Sequence, residues 1–144
     1  MPKIEQSVVI NKPVAECFAY FNNPANNTKW QGQLKDSKLV TPGPVGVGSR
    51  LKDTRELAGQ KLETEYEITE FEPNKKVTFK SSGGPITYVG TFTFEPSGNG
   101  TKFTSNFDFQ VGGVFKLMEG MVVSNAQKQF ETDSAKLKQI LEAT

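Results

Sequence analysis

Between residues 34 and 110 the sequence consists of short runs in which apolar and polar residues alternate. Clusters of turn-forming residues separate these runs: TPGPVGVG, AGQK, PNKK, SSGGP and PSGNG. Alternation with a period of two, broken by such clusters, is typical of an antiparallel meander, because short turns can join neighbouring antiparallel strands. The sequence therefore predicts six consecutive strands, at residues 34–40, 49–57, 62–71, 76–81, 87–95 and 101–110.

One strand and two short helices are predicted before the meander. Residues 4–10 are rich in β-branched side chains and give a seventh strand. Asn11 and Pro13 then provide a helix cap and a first-turn proline. The helix that follows has an apolar stripe at helical spacing, formed by Val14, Cys17, Phe18 and Phe21. A second short helix is predicted at residues 24–30, ending near Gly32.

The chain after Gly113 is predicted to be one long helix that ends at Glu142. Its stripe recurs at spacings of three and four residues and consists of Phe115, Met118, Val122, Ala126, Phe130, Asp133, Leu137 and Ile140. This is the only predicted element long enough to cover a sheet. Asn125 and Asp133 interrupt the stripe, and they are expected to meet either a ligand or solvent at the helix edge.

Composition excludes several classes of function. The chain has 144 residues, a formal charge of +1, one cysteine and no histidine. We therefore expect a single domain over residues 1–144, no nucleic-acid partner, no metal site and no cofactor. The first residues lack the long apolar stretch of a signal peptide or a membrane span, so no membrane insertion and a cytoplasmic location are expected. The oligomeric state stays open.

The hairpin around AGQK is predicted to turn charged residues inward. With those four residues as the turn, Leu57 pairs with Leu62 and Asp53 with Tyr66, and every second pair shares a face. The face that carries Lys52, Glu63, Glu65 and Glu67 must be the solvent face. The inward face therefore carries Asp53, Arg55, Thr64 and Tyr66 among leucines.

The last hairpin is predicted to form a large aromatic face. Its pairs are Phe94 with Phe103, Phe92 with Ser105, Gly90 with Phe107 and Tyr88 with Phe109. Glycine opposite a phenylalanine leaves room for a ring or a ligand to lie against the backbone. Such a face needs a cover, and the C-terminal helix is the candidate.

This order of elements resembles the START-like (SRPBCC) superfamily, in particular its polyketide cyclase/dehydrase branch. The resemblance covers essentially the whole chain. It rests on the long C-terminal helix and on four segments, VVINKPVAECFAYFNNPANNTKW, VGVGSRLK, EYEITEFEPNKKVTFKSS and YVGTFTFEPSGNGTKFT. It implies an α+β helix-grip fold, in which a curved seven-stranded antiparallel sheet wraps around the C-terminal helix and two short helices lie between strands 1 and 2.

The resemblance also implies a deep cavity that binds a hydrophobic small molecule. Members bind lipids, sterols, plant hormones or polyketides, and some catalyse cyclisation or dehydration. Trp30 matches the tryptophan that ends the family's second helix region, and Gly46 and Gly48 match its loop at the cavity entrance. Catalytic residues vary between members, so no catalytic assignment is carried over. Without histidine, the chemistry of the iron-cluster dioxygenase branch is excluded.

The candidate ligand-binding residues combine an apolar wall with polar groups. They are Trp30, Asp53, Arg55, Tyr66, Tyr88, Phe92, Phe107 and Val122. Three interpretations of Asp53 and Arg55 stay open. The two residues form a structural ion pair, they orient a polar group of the ligand, or they move a proton at a perturbed pKa. Tyr20, Trp30 and Tyr88 each have two interpretations. Each is either part of the hydrophobic core or an aromatic group that stacks on the ligand. Cys17 is expected to be a core thiol.

Three functions remain open from the sequence. The first is binding of a lipid-like or polyketide-like molecule in a cavity between the sheet and the C-terminal helix. The second is a polyketide cyclase or dehydratase in which Tyr66 or Arg55 polarises a carbonyl group and Asp53 accepts a proton. The third is an interaction module like the chaperone-activating relatives, in which the cavity is collapsed core.

Overall fold

The computed structural model describes residues 3–57, 60–82, 86–111, 117 and 119–143. The strands are β1 (Lys3–Ile10), β2 (Leu34–Leu39), β3 (Arg50–Leu57), β4 (Gln60–Glu72), β5 (Lys76–Ser82), β6 (Ile86–Ser97) and β7 (Gly100–Val111). The helices are α1 (Val14–Phe21), a 3₁₀ helix (Pro24–Asn26) that leads directly into α2 (Asn27–Trp30), and α3 (Glu119–Glu142). The elements follow one another in the predicted order.

The seven strands form one antiparallel sheet in the order β1-β7-β6-β5-β4-β3-β2. Each strand from β2 to β6 pairs with the strand that follows it in the chain, whereas β1 pairs with β7. The sheet curls into a half-barrel, and α3 packs against β1 and α2. The predicted α+β fold class is confirmed, including the curved sheet, the long C-terminal helix and the two short helices after the first strand.

The predicted register of the β3–β4 hairpin is wrong by two residues. Asp53 lies opposite Thr64 rather than Tyr66, and Leu57 pairs with Gln60. Strand β4 begins inside the segment that was predicted as a four-residue turn, so only two residues join the paired strands. A shift of two leaves every side chain on its predicted face, because the faces of a strand alternate with a period of two.

The predicted register of the β6–β7 hairpin is confirmed throughout. Gly90 lies opposite Phe107, and Phe94 lies opposite Phe103. A Cβ atom built on Gly90 would lie 2.5 Å from Cε2 of Phe107, which is closer than such atoms can approach. Glycine at this position therefore lets the Phe107 ring lie flat against strand β6.

Helix α1 has the predicted bounds but a different start. Its N-cap is Pro13, without a side-chain capping bond, so the prediction that Asn11 caps the helix is wrong. The backbone N–H of Asn11 instead donates to Oε2 of Glu142 at 2.8 Å. The turn before α1 is therefore held by a tertiary contact with the end of α3.

Helix α3 covers the inner face of the sheet, as predicted for the C-terminal helix. The ring of Phe130 lies edge-on to that of Phe107, with the centroids 4.7 Å apart, and Leu137 and Leu141 are buried in the core. Phe115 and Met118, which were predicted in the same stripe, lie outside the described residues. Among the residues that are described, no helix combines the length and the apolar character needed to cross a membrane.

Candidate functional site

A cavity of about 620 Å³ lies between the inner face of the sheet and α3. Part of its lining, including Asn125, Lys128 and Thr132 on α3, is exposed, so the cavity is open to solvent. Its lining includes every ligand-binding residue predicted from the sequence: Trp30, Asp53, Arg55, Tyr66, Tyr88, Phe92, Phe107 and Val122. Tyr20, a further stacking candidate, is not among the lining residues.

Asp53 on β3 is a buried carboxylate with two hydrogen-bond donors. Its side chain is 3% exposed. Ser37 on β2 donates to Oδ1 at 2.7 Å, and Nη2 of Arg55 donates to Oδ2 at 3.3 Å. Burial raises the pKa of Asp53, and the positive charge of Arg55 and the two hydrogen bonds only partly offset this effect. The carboxylate is held in the wall of the cavity by partners on both oxygens.

The second layer of this polar cluster comes from α2 and the residue that follows it. Nη2 of Arg55 also donates to Oε1 of Gln31 at 2.7 Å. Nδ2 of Asn27 donates to the hydroxyl of Ser37 at 3.2 Å. Sequence reasoning missed Asn27, Gln31 and Ser37. The density of amide residues in NNPANNTKWQGQ was the available indication, but it was interpreted only as a turn-rich stretch.

Tyr66 and Tyr88 place phenol groups in the same cavity. Burial raises the pKa of Tyr88 to about 12, and it raises the pKa of Tyr66 well above its usual value, with the charge of Asp53 adding to the effect. Both rings pack against Phe79, at centroid distances of 5.1 Å from Tyr66 and 6.0 Å from Tyr88. Each phenol therefore keeps its proton at neutral pH and can donate a hydrogen bond.

The apolar wall is built from stacked rings on β5, β6 and β7. Phe92 stacks between Phe79 and Phe103, with centroid distances of 5.3 Å and 5.5 Å. Phe107 contacts Phe92 edge-on at 5.4 Å. The indole of Trp30 completes this wall from the side of α2. Interlocked rings of this kind make a rigid surface against which a flat apolar molecule can pack.

Two polar atoms of cavity-lining residues are buried without a hydrogen-bond partner among the described residues. They are Nε1 of Trp30 and Oγ1 of Thr64. Buried polar groups are almost always hydrogen-bonded, so unpartnered ones at a cavity are places where water or a ligand can bind. The hydroxyl oxygen of Tyr20 is also buried without a partner among those residues, although Tyr20 is not part of the lining.

Asp133 on α3 is a second buried carboxylate of the cavity. Its Oδ1 accepts hydrogen bonds from the backbone N–H of Gly32 at 3.0 Å and from Nε2 of Gln129 at 2.7 Å. Burial raises the pKa of Asp133, while these hydrogen bonds and the charge of Arg55 oppose the rise. Of the two contacts expected for Asp133, with a ligand or with solvent, its exposure of only 6% argues against the contact with solvent.

No metal site is present among the residues that the structure describes, since no three potential ligand side chains come together. Cys17 is 1% exposed and belongs to the hydrophobic core, as predicted. Burial raises the pKa of its thiol, which disfavours the reactive thiolate. The polar chemistry of the cavity therefore comes from carboxyl, guanidinium, phenol, amide and hydroxyl groups.

A half-barrel sheet that encloses a cavity against a C-terminal helix is the architecture of the START-like superfamily. The sequence matches the family model described as "Polyketide cyclase / dehydrase and lipid transport" over residues 1–142. The chain belongs to this family, and the resemblance inferred from the sequence is confirmed. Family and fold together suggest binding of a hydrophobic ligand. No curated protein sequence matches the chain significantly.

Solved structures share the fold at low sequence identity. TTHA0849 from Thermus thermophilus has a TM-score of 0.86 and 19% identity, with 99% of this chain and 98% of that chain covered. A conserved protein from Geobacillus kaustophilus has a TM-score of 0.80 and 17% identity, with 99% and 96% covered. The di-domain ARO/CYC BexL from the BE-7585A biosynthetic pathway has a TM-score of 0.80 and 16% identity. Its match covers 99% of this chain and 50% of BexL.

Proposed function

We propose that the protein binds a hydrophobic small molecule, lipid-like or polyketide-like, in the cavity between the sheet and α3. The observation that carries this proposal is the cavity itself, whose volume of about 620 Å³ is typical of ligand pockets. The surface of its lining is mostly apolar, and its residues are about half aromatic or aliphatic and half polar. Sites of this composition bind the apolar body of a ligand by burial and orient it by one or two hydrogen bonds.

The lining residues divide into two roles under this proposal. Trp30, Phe92, Phe107 and Val122 contact the apolar body of the ligand. The phenol groups of Tyr66 and Tyr88 and the Asp53–Arg55 pair face its polar group. Because both oxygens of Asp53 and the Nη2 atom of Arg55 already have partners within the protein, the phenols of Tyr66 and Tyr88 are the readily available donors.

Titration with N-phenylnaphthylamine, an uncharged fluorescent probe, tests the proposal. We expect saturable binding to the folded protein. Ala126→Phe places a ring in the cavity and should weaken binding roughly tenfold or more, equivalent to about 1.4 kcal/mol. Ala135→Phe is the matched control, because Ala135 is exposed on the same helix and is not among the cavity-lining residues. Absence of saturable binding, or equal weakening by both variants, would contradict the proposal.

A second candidate function is cyclisation or dehydration of a bound polyketide-like molecule. Burial raises the pKa of Asp53 in the cavity wall, which makes its carboxylate a stronger proton acceptor than an exposed one and favours this candidate. In that reaction Tyr66 would polarise a carbonyl group and Asp53 would accept a proton. Loss of turnover in Asp53→Asn with retained probe binding would support catalysis, whereas binding without any turnover of such substrates supports a binding function alone.

An interaction module with a collapsed interior is the third function that the sequence left open. The cavity of about 620 Å³ argues against it, because a module of that kind needs no space between the sheet and the C-terminal helix. We therefore favour the small-molecule ligand over a protein partner.

A further inference from the structure

The charged groups around the cavity are arranged unfavourably for an anionic ligand. Its described lining contains three carboxylate residues, Asp53, Glu63 and Asp133, and two cationic residues, Arg55 and Lys128. Asp53 and Asp133 are buried, whereas Glu63 and Lys128 are exposed. The buried part therefore pairs a single guanidinium with two carboxyl groups.

Arg55 is already ion-paired within the protein. Its Nη2 atom donates to Asp53 on the same strand and to Gln31 after α2, and its charge also acts on Asp133. A carboxylate ligand would become a third buried acid around one guanidinium. It would lose its hydration without gaining an unpaired cation, which is unfavourable in a site of low dielectric constant.

An uncharged oxygen meets no such penalty. The phenols of Tyr66 and Tyr88 stay protonated at neutral pH, and the indole N–H of Trp30 has no partner among the described residues. A ketone or hydroxyl oxygen can accept a hydrogen bond from one of these donors. No charge has to be buried for this contact.

We infer that the cavity selects uncharged ligands whose polar end is a ketone or hydroxyl group, and rejects the carboxylates of fatty acids and related anions. This inference rests on the proposed binding function and narrows its ligand class. The observation that carries it is that the buried lining holds two carboxyl groups, Asp53 and Asp133, with the single guanidinium of Arg55, while the phenols of Tyr66 and Tyr88 supply neutral donors.

Acetylnaphthalene and naphthoate form a suitable pair of test ligands. They have the same ring system and nearly the same shape. Acetylnaphthalene carries a methyl group where naphthoate carries a charged oxygen. Each would be measured by displacement of N-phenylnaphthylamine from the full chain at neutral pH. We expect acetylnaphthalene to bind at least roughly tenfold more tightly, the factor that corresponds to about 1.4 kcal/mol.

Charge-removing variants separate this electrostatic cause from shape. In Asp53→Asn the guanidinium loses its carboxylate partner, so the affinity for naphthoate relative to that for acetylnaphthalene should rise roughly tenfold. Asp133→Asn should act in the same direction and serves as the second variant if Asp53→Asn does not fold. Glu5→Gln is the control, because Glu5 is exposed on strand β1, is not among the cavity-lining residues, and its loss changes the net charge equally.

The outcomes distinguish this inference from the proposed function. Naphthoate binding as tightly as acetylnaphthalene would overturn the inference and leave the binding function standing. A preference for the ketone that responds equally to Glu5→Gln and to the cavity variants would also overturn it. Failure of the neutral probe itself to bind would instead remove the proposed function on which the inference rests.

Discussion

Arg55 and Asp53 lie two residues apart on the inner face of β3, and Nη2 of the guanidinium is 3.3 Å from Oδ2 of the carboxylate. The carboxylate side chain is 3% exposed and the guanidinium side chain 26% exposed. A charge this deep in a protein is tolerated only with a partner, so the two residues depend on each other. The pair gives the apolar cavity a polar wall, and it is the starting point of the first prediction.

Arg55→Met should destabilise the protein by about 2–3 kcal/mol. This is less than the loss for a fully buried pair, because Arg55 is partly screened by water and Asp53 can take up a proton instead. The measurement is the free energy of unfolding in denaturant at neutral pH. Arg50→Met is the matched control, since Arg50 lies at the start of the same strand with exposed ion pairs to Glu65 and Glu67. Equal losses in the two variants would contradict the account of the pair.

Gly90→Ala should destabilise the fold by about 1–3 kcal/mol, because the new methyl group would overlap the ring of Phe107. That ring cannot move freely, since it is packed among Phe79, Phe92 and Phe130. The cost should shrink when Gly90→Ala is made in a Phe107→Leu background. Unfolding free energies of the double-mutant cycle measure this coupling.

Gly120→Ala is the control with the opposite expected sign. Gly120 lies in α3, and a methyl group there meets nothing within 4 Å, so alanine should stabilise the helix by up to about 1 kcal/mol. If both glycine variants change stability by the same amount and in the same direction, the close approach at Gly90 is not the cause.

All three tyrosines of the chain should ionise late in the folded protein. Burial raises the pKa of Tyr20, Tyr66 and Tyr88, in the last case from 10.0 to about 12. The folded state therefore holds these protons where the unfolded chain releases them. The resulting stability is complete below the ordinary pKa of 10.0 and is lost as the pH rises towards about 12.

The tyrosinate absorbance band in the near ultraviolet measures this directly. Little band should develop in the native protein at pH values where the denaturant-unfolded chain is largely ionised. Tyr88→Phe should remove one of the late-titrating groups, and it should make Tyr66 easier to ionise, because the charge of an ionised Tyr88 raises the pKa of Tyr66. A native titration curve that overlays the unfolded one would show that the phenols face water, contrary to their place in the cavity.

Glu142 links the end of α3 to the turn after β1, and its contribution should depend on pH. Its Oε2 accepts from the backbone N–H of Asn11 and from Nζ of Lys138, which lower the pKa of Glu142 below its usual 4.5. A lowered pKa means that the stabilisation is present above the unfolded pKa and is lost as the pH falls through the folded one. Glu142→Gln should thus be less stable than the unchanged protein at neutral pH, and the difference should disappear in acid.

Thermal unfolding at several pH values checks this prediction. Glu131→Gln, which removes an exposed carboxylate from the same helix, is the control for a general change of charge. A stability difference for Glu142→Gln that persists unchanged in acid would show that the carboxylate link is not its origin.

Much of the sheet could be predicted because hairpin pairing is local in sequence. The β6–β7 register follows from the PSGNG turn alone, and it brings Phe107 next to Gly90. The β3–β4 register was wrong because AGQK does not reveal where β4 begins, yet the inward faces of Asp53 and Tyr66 followed correctly. A register shift of two residues leaves each side chain on the same face of the strand. The candidate site depended on these faces and not on the register, so the error in register did not affect it.

The partners of the polar cluster could not be predicted in the same way. Gln31 and Asn27 reach the cluster only because α2 packs beside β2, and Asp133 reaches it only because α3 lies across the sheet. The residues in these contacts are 10 to 101 positions apart in the sequence, and they leave no local period. The partner of the Asn11 backbone N–H was missed for the same reason, since Glu142 lies 131 residues from Asn11.

The most direct test of the binding cavity uses Trp30, the only tryptophan of the chain. Because the chain has one tryptophan, its indole N–H gives a single resonance in the N–H correlation spectrum. Trp30 lines the cavity, and its indole N–H has no hydrogen-bond partner among the described residues. Titration with acetylnaphthalene should shift that resonance saturably, together with the amide resonances of β6 and β7, and Ala126→Phe should suppress the shift. An indole resonance that stays unmoved while the ligand binds, or that stays unmoved because nothing binds, would contradict the account.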